Sequence, residues 1–250
     1  MLTEERQSLL LETVNRNGSV RLSELCELLQ SSESTVRRDL SLLAEKGLLN
    51  KVRGGAMALE DTITPVERDM DEKSMLFIPE KEAIARYAAS LVEDGEYVFL
   101  DAGTTTGKMV EYFSAKDITF VTNAFTHARR LAQRGYRVFV PAGEFKAATE
   151  AIVGAGCQMS LEKYHFTKCF MGVDGISLSG GFTTPDQNEA CIKTTVINHS
   201  KEVYVLADHS KFDKITSVTF APLNRGMIIT DRLLEPKYDQ EALVREVGKS

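Results

Sequence analysis

The stretch Ser31-Ser32-Glu33-Ser34-Thr35-Val36-Arg37-Arg38-Asp39-Leu40 decides how the first part of this 250-residue chain is read. Val36, Leu40 and Leu43 recur at helical spacing and predict a helix with that stripe packed inward. Ser32 stands at its start, where a short hydroxyl side chain caps the unpaired main-chain N–H groups. Burying the stripe leaves Ser34, Thr35, Arg37, Arg38 and Ser41 on outer faces. Upstream, Leu22, Leu25, Leu28 and Leu29 predict a shorter helix on one face, and Gln30-Ser31 a brief turn between the two. A first helix from Thr3 carries Leu9, Leu10 and Val14 and stops at Asn17-Gly18, where glycine can take the left-handed conformation. This is helix-turn-helix spacing, in which the second helix of the pair enters the major groove of double-stranded DNA. Hydroxyls near its start reach phosphates or base edges, an Arg can fork onto guanine, and the helix N-terminus favours a phosphate. A small helical bundle with an exposed Arg pair is the plainer alternative, and periodicity alone leaves it open.

Gly47 closes the third helix. Beyond it, Leu48-Leu49-Asn50-Lys51-Val52-Arg53 partly alternates before Gly54-Gly55-Ala56, which predicts a small β wing. Lys51 and Arg53 on that wing would add contacts to the DNA backbone. Residues 59–79 hold Pro65, Pro79 and many charges without a sustained period, so a linker is expected there between an N-terminal domain, 1–58, and a larger one, 80–250. The net charge of −6 argues against nucleic acid when taken alone. Its distribution argues otherwise. Residues 1–58 carry eight basic and eight acidic side chains, so the remainder holds all of the −6, while Arg37 to Arg53 is locally +3. A basic spot on a neutral head is the electrostatic footprint of a DNA reader.

From Glu80 onward, helical segments alternate with short apolar runs. These runs are Tyr97–Leu100, Ile118–Thr122, Arg137–Val140, Cys169–Val173, Val203–Ala207 and Met227–Thr230, and helices are expected at Lys81–Glu93, near Gly107–Phe113, at Ala124–Gln133, near Gly154–Tyr164 and at Asn188–Asn198. Strands buried on both sides and separated by helices imply an α/β fold with a mostly parallel sheet. Leu100-Asp101-Ala102-Gly103-Thr104-Thr105-Thr106 falls at a strand end before a helix, where open α/β sheets bind ligands. Glycine, three hydroxyls and exposed N–H groups there suit an anion. A Walker A reading fails, because Gly103 to Gly107-Lys108 is one residue too short and Met109 replaces the required Ser or Thr. Gly154-Ala155-Gly156 fails as a dinucleotide fingerprint, since Met159 occupies the third glycine position. Asn123, Asp174-Gly175 and Asp208-His209-Ser210-Lys211 also follow predicted strands, so several polar groups gather at the carboxyl ends of one sheet.

Cys26, Cys157, Cys169 and Cys191 form no C-x-x-C pair, and no His stands at ligand spacing from them, so neither a metal nor a disulfide framework is expected. Isolated thiols, an acidic helical N-terminus and the lack of a long apolar run point to a cytoplasmic protein with no membrane contact. No cofactor is implied. His127 and His165 read as surface or capping residues, His199 as a helix end, and His209 as the one histidine beside the predicted ligand site.

Ser31 to Leu40, followed by Lys46-Gly47-Leu48-Leu49 and Gly54-Gly55-Ala56, resembles the DeoR family of bacterial sugar-operon regulators. Asn50 and Arg53 depart from that family's usual Arg and His on the wing. Residues 80–231 resemble the DeoR sensor domain, which is similar to ribose-5-phosphate isomerase. The resemblance implies that Gly103, Thr104, Thr105 and Thr106 hold phosphate. It implies that Lys211 pairs with the phosphate or a sugar oxygen, and that Asp174 and Glu189 sit where the isomerase keeps acid–base carboxylates. Asp101, Asn123 and Gly175 complete the expected effector site. Ile176 and Ser177 follow Gly175 where the isomerase has a second acid, and its glycine run is reduced to Gly180-Gly181. A proton shuttle needs its full carboxylate set, so binding without turnover is expected, with an active isomerase bearing a DNA-binding appendage as the alternative. Met1-Leu2-Thr3-Glu4-Glu5-Arg6, Gly181-Phe182-Thr183-Thr184-Pro185-Asp186 and Ala207-Asp208-His209-Ser210-Lys211-Phe212 look closest to fructose-operon repressors, which implies fructose 1-phosphate as effector. Operator DNA is the expected macromolecular partner, bound by a homo-oligomer. Whether the chain represses or activates is not written in these residues.

Overall fold

A computed structural model describes residues 3–46, 48–57, 70–233, 238 and 241–248. They fall into two compact units that divide between residues 62 and 63. The first contains α1 (Thr3–Asn17), β1 (Ser19–Arg21), α2 (Leu22–Leu29), α3 (Glu33–Glu45), β2 (Asn50–Val52) and β3 (Gly55–Met57). Its core is built by Leu10, Val14, Leu25, Leu29, Val36, Leu40 and Leu43, which are the stripes that helical spacing selects. Leu28 is a correction, being 47% exposed. At 3.6 residues per turn it lies roughly 100° round the helix from Leu29, off the buried stripe. Ser32 caps α3 as expected, its hydroxyl accepting from the Thr35 N–H at 3.3 Å. Gly47 lies outside the described residues, and α3 ends at Glu45 with Lys46 as its cap.

The wing has a third strand that the sequence reading does not contain. β1 pairs antiparallel with β3, which pairs antiparallel with β2, and Val20 and Lys51 both lie opposite Ala56. Gly55 makes this possible. A Cβ there would stand 2.1 Å from the Val20 carbonyl oxygen, so no larger residue fits between the strands.

The second unit contains α4 (Met70–Met75), α5 (Ile78–Ser90), β4 (Tyr97–Leu100), α6 (Thr104–Met109), β5 (Thr119–Thr122), α7 (Phe125–Gln133) and β6 (Arg137–Phe139). It continues through β7 (Glu144–Lys146), β8 (Ala151–Val153), α8 (Ala155–Leu161), β9 (Phe166–Gly172), β10 (Gly175–Ser177), β11 (Gly181–Thr184) and α9 (Gln187–Asn198). β12 (Ser200–Leu206), β13 (Val218–Ala221), β14 (Met227–Thr230) and β15 (Leu243–Glu246) complete it. Seven strands form one parallel sheet in the order β15-β14-β12-β9-β4-β5-β6. Val98 and Leu100 pack into one apolar layer and Phe99 into the other, which is why these strands read as continuous apolar runs. From β4 the chain builds toward β5 and β6 on one side, then returns through β9 toward β12, β14 and β15 on the other. The sheet therefore has its topological switch point between β4 and β9, where ligands bind in open α/β sheets.

Several elements differ from the sequence expectation. α6 starts at Thr104, inside the Thr-rich turn, and stops at Met109. The β7–β8 hairpin, the antiparallel sheet β10-β11-β13 and the edge strand β15 were not expected. α4 and the start of α5 occupy the end of the expected 59–79 linker, and residues 58–69 lie outside the described residues. Among the described residues no helix is long and apolar enough to cross a membrane, and no cluster of potential ligands could hold a metal ion.

Candidate functional site

On the first unit, Ser34, Arg37 and Arg38 of α3 are exposed, and Thr35 and Ser41 half-buried, leaving the polar face of the helix open to solvent. The Ser32 hydroxyl lies 2.9 Å from both the Ser34 and the Thr35 hydroxyls. Arg37 pairs with Glu33 one turn earlier, at 2.5 Å, and Arg38 makes no hydrogen bond or ion pair among the described residues. Lys51 of β2 donates to the Ser41 hydroxyl at 2.6 Å, so wing and α3 meet through two of the expected DNA-binding side chains. Arg53 is exposed in the β2–β3 turn. Asp39, which reads as a surface charge in the sequence, is buried. It accepts from Arg6 at 2.6 Å and Gln7 at 2.9 Å, tying α3 to α1. Burial raises its pKa, but the bonds from Arg6 and Gln7 and the Arg6 and Arg38 charges outweigh it and hold the carboxyl below its usual range.

On the second unit a cavity of about 50 Å³ opens at the switch point. Asp101 to Thr105, following β4, and Gly172 to Asp174, following β9, form its walls, with Glu189 and Lys193 of α9 and Lys211 after β12. Met70 and Lys73 of α4, Lys81 of α5 and Thr149 close it. Asp101, Gly103, Thr104, Thr105, Asp174, Glu189 and Lys211 of the expected site are thus brought together. Asn123, Gly175 and Thr106 are near in the fold but do not line the cavity. Thr106 is spent on the loop itself. Its hydroxyl donates toward the Asp101 carbonyl (2.7 Å) and the Gly103 carbonyl (2.9 Å) and accepts from the Gly103 N–H, fixing the start of α6. Asn123 donates to the Ile152 carbonyl at 3.3 Å. Gly175 is closely packed, and a Cβ there would stand 2.5 Å from the Lys214 carbonyl oxygen and 2.6 Å from the Thr183 hydroxyl.

Lysines dominate the electrostatics. Three that the sequence does not single out, Lys73, Lys81 and Lys193, join the expected Lys211 and face three carboxylates, Asp101, Asp174 and Glu189. Lys193 is buried against Asp101 and donates to the Gly172 carbonyl at 3.0 Å, while the Gly172 N–H donates to Asp101 at 2.9 Å, so β4 and β9 are tied together at the cavity floor. Burial lowers the Lys193 pKa, and Asp101, Glu189 and Asp174 more than reverse this, so it stays charged. Lys73 pairs with Asp174 at 2.7 Å. Burial raises the Asp174 pKa, yet Lys73, Lys211 and Lys193 bring it below the ordinary value. Glu189 accepts from Lys146 at 3.3 Å.

Lys81 and Lys211 differ from the other two. Neither has a carboxylate within ion-pair distance among the described residues. Lys81 donates to the main-chain carbonyl of Lys73, and its pKa is pushed down to about 8, first by burial, with Asp208 opposing and Lys211, Lys108 and Lys73 adding to the drop. The buried Thr149 hydroxyl on the same cavity has no partner among the described residues. Two ammonium groups without an ion-pair partner among the described residues and an orphan hydroxyl thus meet at a switch point, an arrangement that suits an anion.

The histidines depart from expectation in part. His127 is buried, not at the surface. Burial first, then Arg130, lowers its pKa to about 4, against the opposing influence of Asp101 and Glu150. His209 bonds to Asp231 at 2.8 Å and stacks edge-on with Phe77, and it does not line the cavity. His199 ends α9, as its place in the sequence suggests, and stacks on His165.

Known proteins match this architecture over its whole length. The profile of the DeoR-like helix-turn-helix domain matches residues 6–62, and that of the DeoR C-terminal sensor domain residues 77–232. The HTH-type transcriptional regulator FruR of Bacillus subtilis is 41% identical over 252 residues, with 100% of each chain covered. The lactose phosphotransferase system repressor of Staphylococcus epidermidis is 35% identical over 249 residues, with 98% of each chain covered. Among solved structures, ribose 5-phosphate isomerase A from Methanocaldococcus jannaschii aligns at TM-score 0.38 and 17% identity over 53% of each chain. A helix-turn-helix unit joined to a sensor unit defines a DNA-binding transcriptional regulator. The chain belongs to the DeoR family.

Proposed function

We propose that this regulator represses a sugar-utilisation operon, and that a phosphorylated sugar, fructose 1-phosphate foremost, binds the second unit and releases the operator. One observation carries the effector class: Lys81 and Lys211 converge on the switch-point cavity without carboxylate partners. A phosphate dianion supplies the charge that both lack, within reach of the Gly103–Thr105 backbone and the orphan Thr149 hydroxyl. Asp174 and Glu189 on the same cavity then accept from sugar hydroxyls. Fructose 1-phosphate is favoured by the resemblance of residues 181–186 and 207–212 to fructose-operon repressors. The relative named a lactose phosphotransferase system repressor supports a role in sugar uptake more broadly. Turnover is not part of this reading, because a binding site for a switch needs no proton shuttle. On the first unit, Ser34, Thr35, Arg37, Arg38 and Ser41 contact the operator through the major groove, and Lys51 and Arg53 touch the backbone from the wing.

Calorimetry with fructose 1-phosphate, fructose 6-phosphate and free fructose tests the effector. A site built around a buried anion leaves its donors unpaired when a neutral sugar enters. Fructose 1-phosphate should therefore bind and free fructose should not, and Lys211→Ala should abolish the heat. Equal binding of free fructose would overturn the reading, and steady isomerisation in a coupled assay would replace it. A duplex selected from random-sequence DNA by the protein itself serves as operator in gel shifts, and fructose 1-phosphate should release it. One helix-turn-helix offers a small interface, so operator recognition calls for at least a dimer. Light scattering that finds a strict monomer, with and without this duplex, removes that part.

A further inference from the structure

The cavity is smaller than the ligand proposed for it. Its volume is about 50 Å³, room for a few waters. Sites that bury small organic ligands measure about 300–1,000 Å³. α4 supplies part of the cavity wall. Met70 and Lys73, one turn apart, both line the cavity. Contacts that fix the helix there include the Met70 N–H on the Ala148 carbonyl (3.4 Å), the Lys81 ammonium on the Lys73 carbonyl, and the Lys73 ammonium on Asp174 (2.7 Å). An incoming phosphate would recruit the Lys81 ammonium, and sugar hydroxyls would recruit Asp174. Apolar burial adds little, since Met75 at the end of α4 is 76% exposed. A helix of six residues does not hold its shape alone, so its seat depends on such anchors. In sequence, α4 follows residues 58–69, which join the two units.

We propose that α4 is a strap over the effector site and that Lys73 is its latch. In the effector-free protein the Lys73 ammonium occupies Asp174. A phosphorylated sugar opens the site by pairing its phosphate with Lys81 and Lys211 and by giving its hydroxyls to Asp174, so that Lys73 is displaced and α4 leaves its seat. The idea rests on the reading of the cavity as a sugar-phosphate site. It also supplies the differential contact that any ligand-driven shift requires. Asp174 is satisfied by Lys73 in one state and by the sugar in the other.

The test needs no ligand. Lys73→Met, Asp174→Asn and the exchanged pair Lys73→Asp with Asp174→Lys are made in the full chain and assayed on the selected duplex. Each single substitution should lower operator affinity by about tenfold or more, in the range typical of allosteric coupling. Each should also speed amide exchange at residues 70–77 while the amides of α3 and β4 keep their protection. The exchanged pair should restore both readouts, as a direct pairwise interaction requires. Asp174→Asn keeps the side-chain shape and guards against a folding failure in Lys73→Met. Single variants that hold DNA as tightly as the parent, or an exchanged pair no better than the singles, would overturn the strap. Absence of fructose 1-phosphate binding to the parent protein is a separate result, which strikes at the proposed effector and leaves these outcomes readable.

Discussion

At the scale of single residues, charges that read as ordinary surface turn out to be interior. Lys73, Lys81 and Lys193 were invisible in the sequence because a lysine is by default a solvated side chain. Lys193 had one signal: it lies one turn after Glu189 and so shares that residue's face of α9. Asp39 had one too, since 36, 39 and 43 share a helical face with Leu40, which places it on the buried side of α3. Lys81 and Asp39 each carry a prediction. The Lys81 pKa of about 8 makes effector affinity pH-dependent. A phosphate monoester is already a dianion above its second pKa of about 6, so only the lysine changes charge between pH 7 and 9. A bound anion raises the Lys81 pKa, so binding takes up protons and the Kd for fructose 1-phosphate should climb as pH passes about 8. Lys81→Arg, always charged, should flatten the profile. Calorimetry in buffers of different ionisation heat measures the uptake, and a flat parental profile removes Lys81 from the site. Asp39 works in the opposite sense. Its folded pKa lies below its unfolded value, so its contribution to stability is present above about pH 4 and is lost as pH falls through the folded value. Asp39→Ala should cost about 1.5–3 kcal/mol, the range for hydrogen bonds to a charged group, and should blunt the acid sensitivity of the first unit in urea melts.

At the scale of elements, legibility followed length. Helices and strands with several periodic apolar positions were found within a few residues of their true ends, and β4 and β14 at both ends. The short strands β1, β7, β8, β10, β11, β13 and β15 are not legible, because three or four residues barely display an alternation; β2, β3 and β6, equally short, are legible only from the glycine pair beside the wing and the apolar Val138-Phe139-Val140 run. α6 was placed late because Thr104-Thr105-Thr106 is a poor helix sequence by propensity, and it is the Thr106 hydroxyl on Asp101 and Gly103 that starts the helix there. α3 is legible as a helix because a capping serine and an apolar stripe agree. The structure nonetheless distinguishes the two arginines. Arg38 is unengaged among the described residues and keeps all its donors for DNA, whereas Arg37 must leave Glu33 to use its own. Arg38→Ala should therefore weaken operator binding more, by about 1–3 kcal/mol if it reads a base. If it meets a phosphate instead, the loss should be uniform across sequences and the salt slope should fall by about 1. Gel-shift titrations at several salt concentrations separate these outcomes, and unchanged affinity in both Arg→Ala variants would remove α3 as the recognition helix.

At the scale of the whole molecule, the first unit has its own core around Leu10, Leu25 and Leu40, and the second has apolar layers on both faces of its sheet. Units with separate cores can unfold as separate transitions. A ligand that binds only the native form of one unit stabilises that unit by mass action, by about 2.7 kcal/mol at a hundred times its Kd. Each kcal/mol shifts the Tm of a domain of 150–250 residues by roughly 2–4 °C. Saturating fructose 1-phosphate should thus raise the second unit's transition by about 5–11 °C. The first unit's transition should stay in place, because none of the cavity's lining residues belongs to it. The selected operator duplex should do the reverse. Scanning calorimetry with each ligand alone reads both shifts. With the two ligands together, release predicts that each transition rises less than it does with its own ligand alone, because coupling between sites is reciprocal: a sugar that weakens DNA binding must be bound more weakly in the presence of DNA. Shifts that simply add would mean that the two sites do not communicate, whatever each of them binds.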